Sequence, residues 1–251
     1  MNVLYRRLIP KILVEHTSGL DPSAFRSILT RSYKPFRVVG EPLSQIRIQQ
    51  SNLVDEIMLI HRNESKFDSS FCDLVLKSCE LLNTPLSVGG AIESPAQAKM
   101  IFESGADKLV VGRHRGNIAL LEDVASNHGV QSLAVSIDYS SKDISSGAEA
   151  LWERELSLGY LSLAGEICVN NISRDGQGVG VDLSLIGLIR EQTTVPVIVG
   201  GGISNVSHIA ECFRMGCDGV TLSTFLSQSD QNIRQLRSHL SSLGIHIRTR
   251  N

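Results

Sequence analysis

The sequence lacks several features that would point to particular classes of protein. Its 24 basic and 26 acidic residues leave a net charge of −2, so no basic excess attracts nucleic acid or anionic lipid. None of its five cysteines forms a CxxC pair, which indicates a reduced cytoplasmic protein and argues against a metal site. No apolar run is long enough to span a bilayer, and the N-terminus does not resemble a signal peptide. We therefore expect a soluble protein without metal or cofactor, which binds small molecules or another protein.

What the sequence does have is an internal repeat. Val-Gly-Gly-Ala-Ile at 88–92 recurs at 199–203 as Val-Gly-Gly-Gly-Ile, at an offset of 111 residues. A Gly-x-Asp motif follows each copy and ends at Asp107 and at Asp218. In both copies an apolar run leads into glycines, then a helical stretch, then another apolar run, an order that is typical of parallel α/β folds. The chain of 251 residues therefore consists of two similar halves.

Eight short apolar runs are spread along the chain. They lie at residues 8–13, 57–60, 86–88, 109–111, 133–137, 167–169, 195–199 and 220–222. Continuous apolar runs are typical of parallel strands that are covered on both faces. Helical spacing separates them, for instance at 95–103 and 206–215, where Ser94 and Asn205 are good N-caps. We predict a single (β/α)8 TIM barrel domain over residues 1–251, built from two half-barrels, with a doubly wound open sheet as the alternative.

Two segments interrupt this pattern. Residues 15–39 form a long polar connection after the first strand, and long connections in compact domains are usually functional lids or disordered. We expect this segment to cover the mouth of the barrel. A Ser-rich stretch at 139–147 follows the fifth strand and leads into a helix that carries Trp152, the only tryptophan.

Glycines follow several predicted strands at their carboxyl ends, where barrel enzymes place their sites. Free backbone N–H groups and the N-terminal ends of helices favour phosphate; the alternative is that the glycines only form tight turns. The first predicted phosphate site contains Gly89, Gly90, Gly112 and Arg113. The second contains Asp175, Gly176, Gly201, Gly202, Ser223 and Thr224. Two such sites would fit a ligand with a phosphate at each end, or a nucleotide-linked molecule.

Charged residues mark both ends of the strands. Asp138 ends the fifth apolar run, where a partly desolvated carboxylate can act as a general acid or base; the alternative is a cap on the next turn. At the opposite ends, four charged residues each precede an apolar run: Arg7, Glu56, Lys108 and Glu166. Two cations and two anions so near the barrel axis can pair in a ring. By itself such a ring could simply be a polar plug of the floor.

These segments together resemble the cyclase subunit of imidazole glycerol phosphate synthase over nearly the whole chain. The matching segments are Arg-Leu-Ile-Pro at 7–10, Val-Gly-Gly-Ala-Ile at 88–92, Gly-Ala-Asp-Lys at 105–108, Ser-Ile-Asp at 136–138, Ser-Arg-Asp-Gly at 173–176 and Pro-Val-Ile-Val-Gly-Gly-Gly at 196–202. The resemblance implies a two-fold symmetric barrel that forms a heterodimer with a glutaminase docked on its floor. It also implies that ammonia passes to the mouth and is used in an amidation with ring closure, on a substrate with two phosphates.

The resemblance gives the charged residues of the floor a role. The ring residues Arg7, Glu56, Lys108 and Glu166 match the family's ammonia gate. Asp107 matches a family position that contacts the glutaminase. We therefore expect a glutaminase partner at this end of the barrel.

The mouth departs from the family. The family's acid and base are two aspartates, of which Asp138 matches the second, while the first falls on Leu13, which cannot transfer a proton. A carboxylate expected after the second strand falls on His61, and an Asn-Thr pair after the fourth falls on Gly112-Arg113. A changed substrate is the expectation that follows.

A branch of the family with leucine at the first aspartate position occurs in surface-polysaccharide gene sets. There it is thought to help a sugar amidotransferase convert an acetamido group into an acetamidino group. Residues 33–42, Tyr-Lys-Pro-Phe-Arg-Val-Val-Gly-Glu-Pro, are more similar to this branch than to the histidine enzyme, although His61 departs from both.

Three functions remain open. The first is an ammonia-accepting synthase subunit of a glutamine amidotransferase that serves amidation of a nucleotide-linked sugar in surface polysaccharide (lipopolysaccharide O-antigen) biosynthesis, with a sugar amidotransferase as a further partner. The second is the cyclase of histidine biosynthesis, with Glu15 or His16 replacing the lost aspartate. The third is a non-catalytic barrel that binds and stimulates a glutaminase. The isomerase of the same pathway is a weaker alternative, because it has no use for the charged ring.

Overall fold

Eight parallel strands close into a barrel in the computed structural model, which describes residues 6–17, 24–62, 67 and 69–248. The strands of the chain are β1 (Arg7–His16), β2 (Phe25–Arg31), β3 (Lys34–Gly40), β4 (Ile57–His61), β5 (Leu86–Gly89), β6 (Lys108–Val111), β7 (Leu133–Tyr139), β8 (Glu166–Asn171), β9 (Val197–Gly200) and β10 (Gly219–Leu222). The barrel order is β1, then β4 to β10 in sequence, and β10 pairs with β1 to close it. The predicted (β/α)8 barrel is confirmed, and each apolar run overlaps one of its strands.

Helices follow the strands around the barrel. They are α1 (Pro42–Ser51), α2 (Ser69–Leu81), α3 (Pro95–Glu103), α4 (Ile118–His128), α5 (Ala148–Ser157), α6 (Leu183–Gln192), α7 (Val206–Arg214), α8 (Thr224–Gln228) and α9 (Ile233–Ser242). The N-caps predicted for α3 and α7 are in place, since the Ser94 side chain accepts from the Gln97 N–H and that of Asn205 from the His208 N–H. Within the described part of the chain, no helix is both long and apolar enough to cross a bilayer.

The Gly-x-Asp motifs have the same structural role in both halves of the barrel. The Asp107 carboxylate accepts a 2.8 Å hydrogen bond from the backbone N–H of Leu86, and the Asp218 carboxylate accepts one of the same length from that of Val197. Each aspartate also donates its own backbone N–H to the carbonyl of the same strand residue. The repeated Gly-x-Asp motif therefore corresponds to a repeated pair of hydrogen bonds, which the aspartate makes with the first residue of the preceding barrel strand.

A β-hairpin replaces the loop that we expected after the first strand. β1 continues to His16, and β2 and β3 add to it as antiparallel strands. The turn between them is made by Ser32 and Tyr33, which both have positive φ angles, 49° and 60°. Most of β3 is exposed, so its pairing with β2 and contacts at the turn hold it in place. Residues 18–23 of the predicted segment lie outside the described residues.

Side chains of β1 alternate between the helices and the barrel interior, as strand geometry requires. Leu8, Ile12 and Val14 are buried in the core that contains the helices, whereas Ile9 belongs to a separate apolar layer inside the barrel. This interior layer contains Ile9, Met58, Val110, Ala134, Cys168 and Ile198. Burial and nearby carboxylates raise the pKa of the Cys168 thiol, so it remains neutral at physiological pH. An apolar layer thus separates the floor from the mouth.

Candidate active site at the mouth and charged ring at the floor

A cavity of about 310 Å³ opens at the carboxyl ends of β1 and of β4 to β8. Gly90, Gly112, Arg113 and Asp138, which were predicted from the sequence, all line it. The structure thus brings most of the first predicted phosphate site together with the predicted acid or base.

Three hydrogen-bond donors contact the same carboxylate oxygen of Asp138. Its Oδ1 atom accepts hydrogen bonds from the Tyr33 hydroxyl at 2.8 Å, the Asn170 side-chain amide at 3.0 Å and the Ser136 hydroxyl at 3.1 Å. The other oxygen, Oδ2, lies on the side of Gly112. The carboxylate is therefore fixed in orientation, with one oxygen bound to protein donors and the other turned to the cavity wall.

Tyr33 brings the hairpin turn over the mouth. Burial, together with the negative charge of Asp138, raises the pKa of the Tyr33 hydroxyl well above its ordinary value of 10.0. The hydroxyl therefore stays protonated and remains a donor to the carboxylate at physiological pH. The segment expected to cover the mouth does reach it, as a hairpin and through this tyrosine.

Asp175 fastens the same hairpin from the opposite wall. Its carboxylate accepts hydrogen bonds from the Thr30 hydroxyl at 2.7 Å and from the Tyr33 N–H at 3.1 Å. Its carbonyl accepts one from the Ser32 N–H at 2.9 Å. A Cβ at Gly176, which has φ +67°, would overlap the Thr30 carbonyl, so glycine is required for this close approach. Both residues were predicted to bind phosphate, and the structure gives them a part in holding the hairpin.

The second predicted phosphate site forms a separate narrow pocket of about 20 Å³. All six of its predicted members line this pocket: Asp175, Gly176, Gly201, Gly202, Ser223 and Thr224. A Cβ on Gly202 would overlap the carbonyl of Gly180, which explains this glycine by backbone packing as well. The two predicted sites thus occupy two pockets on different sides of the mouth.

Gly89 is explained by packing. It lies in β5 and pairs with both neighbouring strands. A Cβ there would lie 2.8 Å from the Ile60 Cδ1 atom and from the Val110 carbonyl oxygen. Gly89 lines neither of the two mouth pockets, unlike its neighbour Gly90.

The four charged residues at the strand starts form a closed ring of ion pairs at the floor. Arg7 contacts Glu56 at 2.8 Å and Glu166 at 2.7 Å, and Lys108 contacts the same two carboxylates at 3.0 and 2.8 Å. The Ser87 hydroxyl adds a 2.5 Å hydrogen bond to Glu56. Each member of the ring therefore has two partners of opposite charge.

Two members of the ring, Glu56 and Arg7, have shifted pKa values. Burial alone would raise the pKa of the Glu56 carboxyl, but Lys108 and Arg7 outweigh it and the net pKa lies below the ordinary value of 4.5. Burial would lower the pKa of Arg7, yet Glu166 and Glu56 raise it overall. Glu56 and Arg7 therefore both favour their charged forms within the ring.

Glu15 and His16, the alternatives to the lost aspartate, are held away from the cavity. Glu15 contacts Arg26 at 2.8 Å and Arg62 at 3.7 Å. The His16 ring packs on Phe25, with 4.3 Å between ring centroids. Leu13, which by the resemblance falls at the position of the first family aspartate, itself lines the cavity.

Three residues of the mouth were missed from the sequence. Lys11 lines both pockets and donates a 3.2 Å hydrogen bond to Asn170, which in turn contacts Asp138. Tyr33 is the third. The period-two alternation along β1 could have found Lys11, since it lies two residues from inward-facing Ile9. Nothing in the sequence pattern marks Asn170 or Tyr33, because their roles depend on pairing between distant segments.

No group of three or more histidine, cysteine, aspartate or glutamate side chains that could hold a metal ion occurs among the described residues.

Comparison with known proteins agrees with this geometry. A family model described as histidine biosynthesis protein matches residues 27–231. A protein of Prochlorococcus marinus, provisionally named imidazole glycerol phosphate synthase subunit hisF2, is 33% identical over 262 residues, which cover 98% of this chain and 99% of the relative. The imidazole glycerol phosphate synthase subunit HisF of Pyrobaculum aerophilum is 30% identical over 260 residues, covering 96% of this chain and 98% of the relative. The chain therefore belongs to the histidine biosynthesis family, among relatives of the cyclase subunit of imidazole glycerol phosphate synthase.

Proposed function

We propose that this protein is the ammonia-accepting barrel subunit of a glutamine amidotransferase, and that it serves an amidation other than the ring closure of histidine biosynthesis. The acceptor we propose is a nucleotide-linked sugar of a surface polysaccharide, modified together with a sugar amidotransferase. The observation that carries the proposal is the contrast between the two ends of the barrel. The charged ring of the floor is complete, whereas the mouth has Leu13 in place of one of two family carboxylates.

The floor supports ammonia transfer. Each ring residue has two partners of opposite charge, and we propose that ammonia passes when an ion pair such as Lys108–Glu166 opens. Above the ring lies the apolar interior layer around Ile9 and Cys168. Such a layer disfavours ammonium and other ions far more than neutral ammonia, because an unpaired charge loses its hydration there.

The mouth supports a changed reaction. Ring closure in the family depends on two carboxylates, and the residues that could replace the lost one are engaged elsewhere. Glu15 is paired with Arg26, and His16 packs on Phe25. We propose Asp138 as the acid or base of the cavity, where it is the one carboxylate among the described lining residues.

The names of the relatives support a partner. Those of Prochlorococcus marinus and Pyrobaculum aerophilum are both named as subunits of a synthase, and each aligns over nearly its full length with this chain. The proposed partner is a glutaminase that docks over the ring, near Asp107, which is exposed at the start of β6.

The test is co-expression with a glutaminase whose gene lies beside that of this protein. We expect the two chains to co-purify and the glutamine hydrolysis rate to rise in the complex. We also expect no imidazole glycerol phosphate from the family's bisphosphate substrate and free ammonia. Turnover of that substrate, abolished by Asp138→Asn, would establish the histidine reaction instead. No rise in glutamine hydrolysis would refute the ammonia-accepting role.

A non-catalytic barrel is a second candidate, and one observation favours it. Asp138 Oδ1 binds three protein donors, including the hairpin residue Tyr33, so the carboxylate could serve only to hold the mouth closed. In that case Asp138→Ala would leave both glutaminase stimulation and formation of the amidated sugar unchanged. Loss of the amidated sugar with stimulation retained would favour the catalytic role.

A further inference from the structure

Lys11 lies between the two pockets of the mouth. It lines the broad cavity that contains Asp138 and also the narrow pocket formed by Gly201, Gly202 and their neighbours. Its strand position is four residues beyond Arg7 of the floor ring, which corresponds to roughly 13 Å along the strand. The ammonium group is therefore near the barrel axis and well above the ring.

Asn170 holds Lys11 in place. The Asn170 Oδ1 atom accepts from the Lys11 ammonium at 3.2 Å, and its amide group donates to Asp138 at 3.0 Å and to Ser136 at 3.1 Å. Asn170 is buried, and a Cβ at Gly200 would lie 2.7 Å from its Oδ1 atom. The packing around Asn170 thus fixes it as a bridge between one cation and one carboxylate.

The cavity carries more positive than negative charge. Lys11, Arg62 and Arg113 line it, and Asp138 is the one carboxylate among its lining residues. Glu15 contacts Arg62 from outside the cavity at 3.7 Å, so Lys11 and Arg113 carry the excess. A concave site with an excess of one charge attracts ligands of the opposite charge. The replacement of a family carboxylate by Leu13, two residues from Lys11 on the same face of β1, adds to this excess. The mouth is therefore suited to an anionic ligand.

We propose that Lys11 is a ligand-binding residue that contacts an anionic group in the middle of the ligand, of the kind that the diphosphate of a nucleotide-linked sugar provides. A ligand with one phosphate at each end would fill the two outer sites and leave its uncharged centre at Lys11. A central ammonium is better compensated by a central diphosphate, since a partly buried charge needs an opposite charge beside it. This inference rests on the proposed function and adds to it the residue that binds the middle of the ligand.

The test uses inorganic pyrophosphate and inorganic phosphate as probes, titrated calorimetrically into the full-length protein. We expect the wild type to bind pyrophosphate more tightly than phosphate. Lys11→Met should weaken pyrophosphate binding about tenfold or more, as loss of one charge-assisted contact does, and Lys11→Arg by much less. The matched control is Lys142→Met, because Lys142 is an exposed lysine that follows β7 and lines neither mouth pocket.

Each outcome either supports or overturns the proposed role of Lys11. Equal pyrophosphate binding by wild type and Lys11→Met overturns the inference, as does a wild type that binds neither probe. An equal loss in Lys142→Met would indicate general charge attraction and would also overturn it. Thermal melting confirms that each variant is folded, and Lys11→Gln, which also removes the charge, replaces Lys11→Met if Lys11→Met does not fold.

Glutaminase stimulation by the same variants separates this inference from the proposed function. The stimulation depends on the floor, so Lys11→Met should retain it. If stimulation is present and pyrophosphate binding does not depend on Lys11, only the role of Lys11 is wrong. If the wild type itself gives no stimulation, the proposed function is wrong, whatever the probes show.

Discussion

Tyr33 donates a 2.8 Å hydrogen bond to Asp138 across 105 positions of the sequence, and so links the hairpin turn to the candidate catalytic carboxylate. The hairpin is tied to the opposite wall by Asp175, which accepts from Thr30 and from the Tyr33 backbone. One turn therefore contacts both sides of the mouth. Movement of this turn would change access to the cavity and the surroundings of Asp138 at the same time.

Tyr33→Phe tests this link. Removing the hydroxyl deletes a hydrogen bond to a charged group, which is worth roughly 1.5 kcal/mol, or about a tenfold change in the opening equilibrium. We expect faster amide hydrogen exchange in residues 25–40, with little change elsewhere. The control is Lys34→Gln, an exposed neighbour on the same hairpin. Unchanged exchange in Tyr33→Phe would show that the backbone contacts to Asp175 alone hold the turn.

Gly176→Ala tests the docking of the hairpin on the opposite wall. Gly159 provides a matched control, since both glycines have positive φ angles, +67° and +77°, but a Cβ at Gly159 meets nothing within 4 Å. Gly159→Ala should cost about 1 kcal/mol from backbone strain alone. Gly176→Ala should cost more, because its Cβ overlaps the Thr30 carbonyl. Urea unfolding followed by fluorescence of buried Trp152 measures both, and equal losses would contradict a close approach at Thr30.

The barrel was predictable from the sequence because of how parallel strands are covered. Strands such as β8 and β9 are buried on both faces, so their apolar residues are continuous and easy to recognise. The hairpin was not predictable in this way. β3 is almost wholly exposed, and its sequence, Lys-Pro-Phe-Arg-Val-Val-Gly, carries no burial signal; it is held by β2 and by distant Asp175.

The locations of Asp138 and of the charged ring were predictable, because each of these residues lies at an end of an apolar run in the sequence. Lys11 and Asn170 could not be predicted from residue type, because their roles depend on the register of the strands. Lys11 faces inward because of its place in β1, and Asn170 contacts Asp138 because β8 pairs with β7 in that register. Gly89, which lines neither mouth pocket, was grouped with the phosphate-site residues for a different reason. A glycine that is required for packing looks the same in the sequence as a glycine that binds phosphate.

Acid should weaken the floor ring through Glu56. Its pKa is lower in the folded protein than its ordinary value of 4.5, so its contribution to stability is complete above that pH and is lost as the pH falls through the folded pKa. Glu56→Gln should lower the free energy of unfolding at pH 7 by roughly 3 kcal/mol, since it leaves two partly buried cations short of a partner. Below pH 4.5 the difference from wild type should shrink.

Urea unfolding at several pH values measures this effect. The control is Glu103→Gln, because Glu103 is exposed and its contact with Lys99 is 3.6 Å long. Exposed pairs of this kind contribute at most about 1 kcal/mol. A constant difference between wild type and Glu56→Gln from pH 7 to pH 3.5 would mean that Glu56 does not titrate with folding.

Asp107 and Asp218 allow the structural role of a residue to be separated from its role in binding a partner. Both carboxylates accept a hydrogen bond from the first residue of the preceding strand, so Asp107→Ala and Asp218→Ala should each lower the free energy of unfolding by about 1 kcal/mol. Asp218→Ala should cost somewhat more, because Asp218 also contacts Arg190 at 3.3 Å. If a glutaminase docks beside Asp107, only Asp107→Ala should also weaken its binding and its stimulation. Calorimetric titration of the glutaminase into both variants measures the affinity, and an equal loss in the two would mean that Asp107 acts only through the fold.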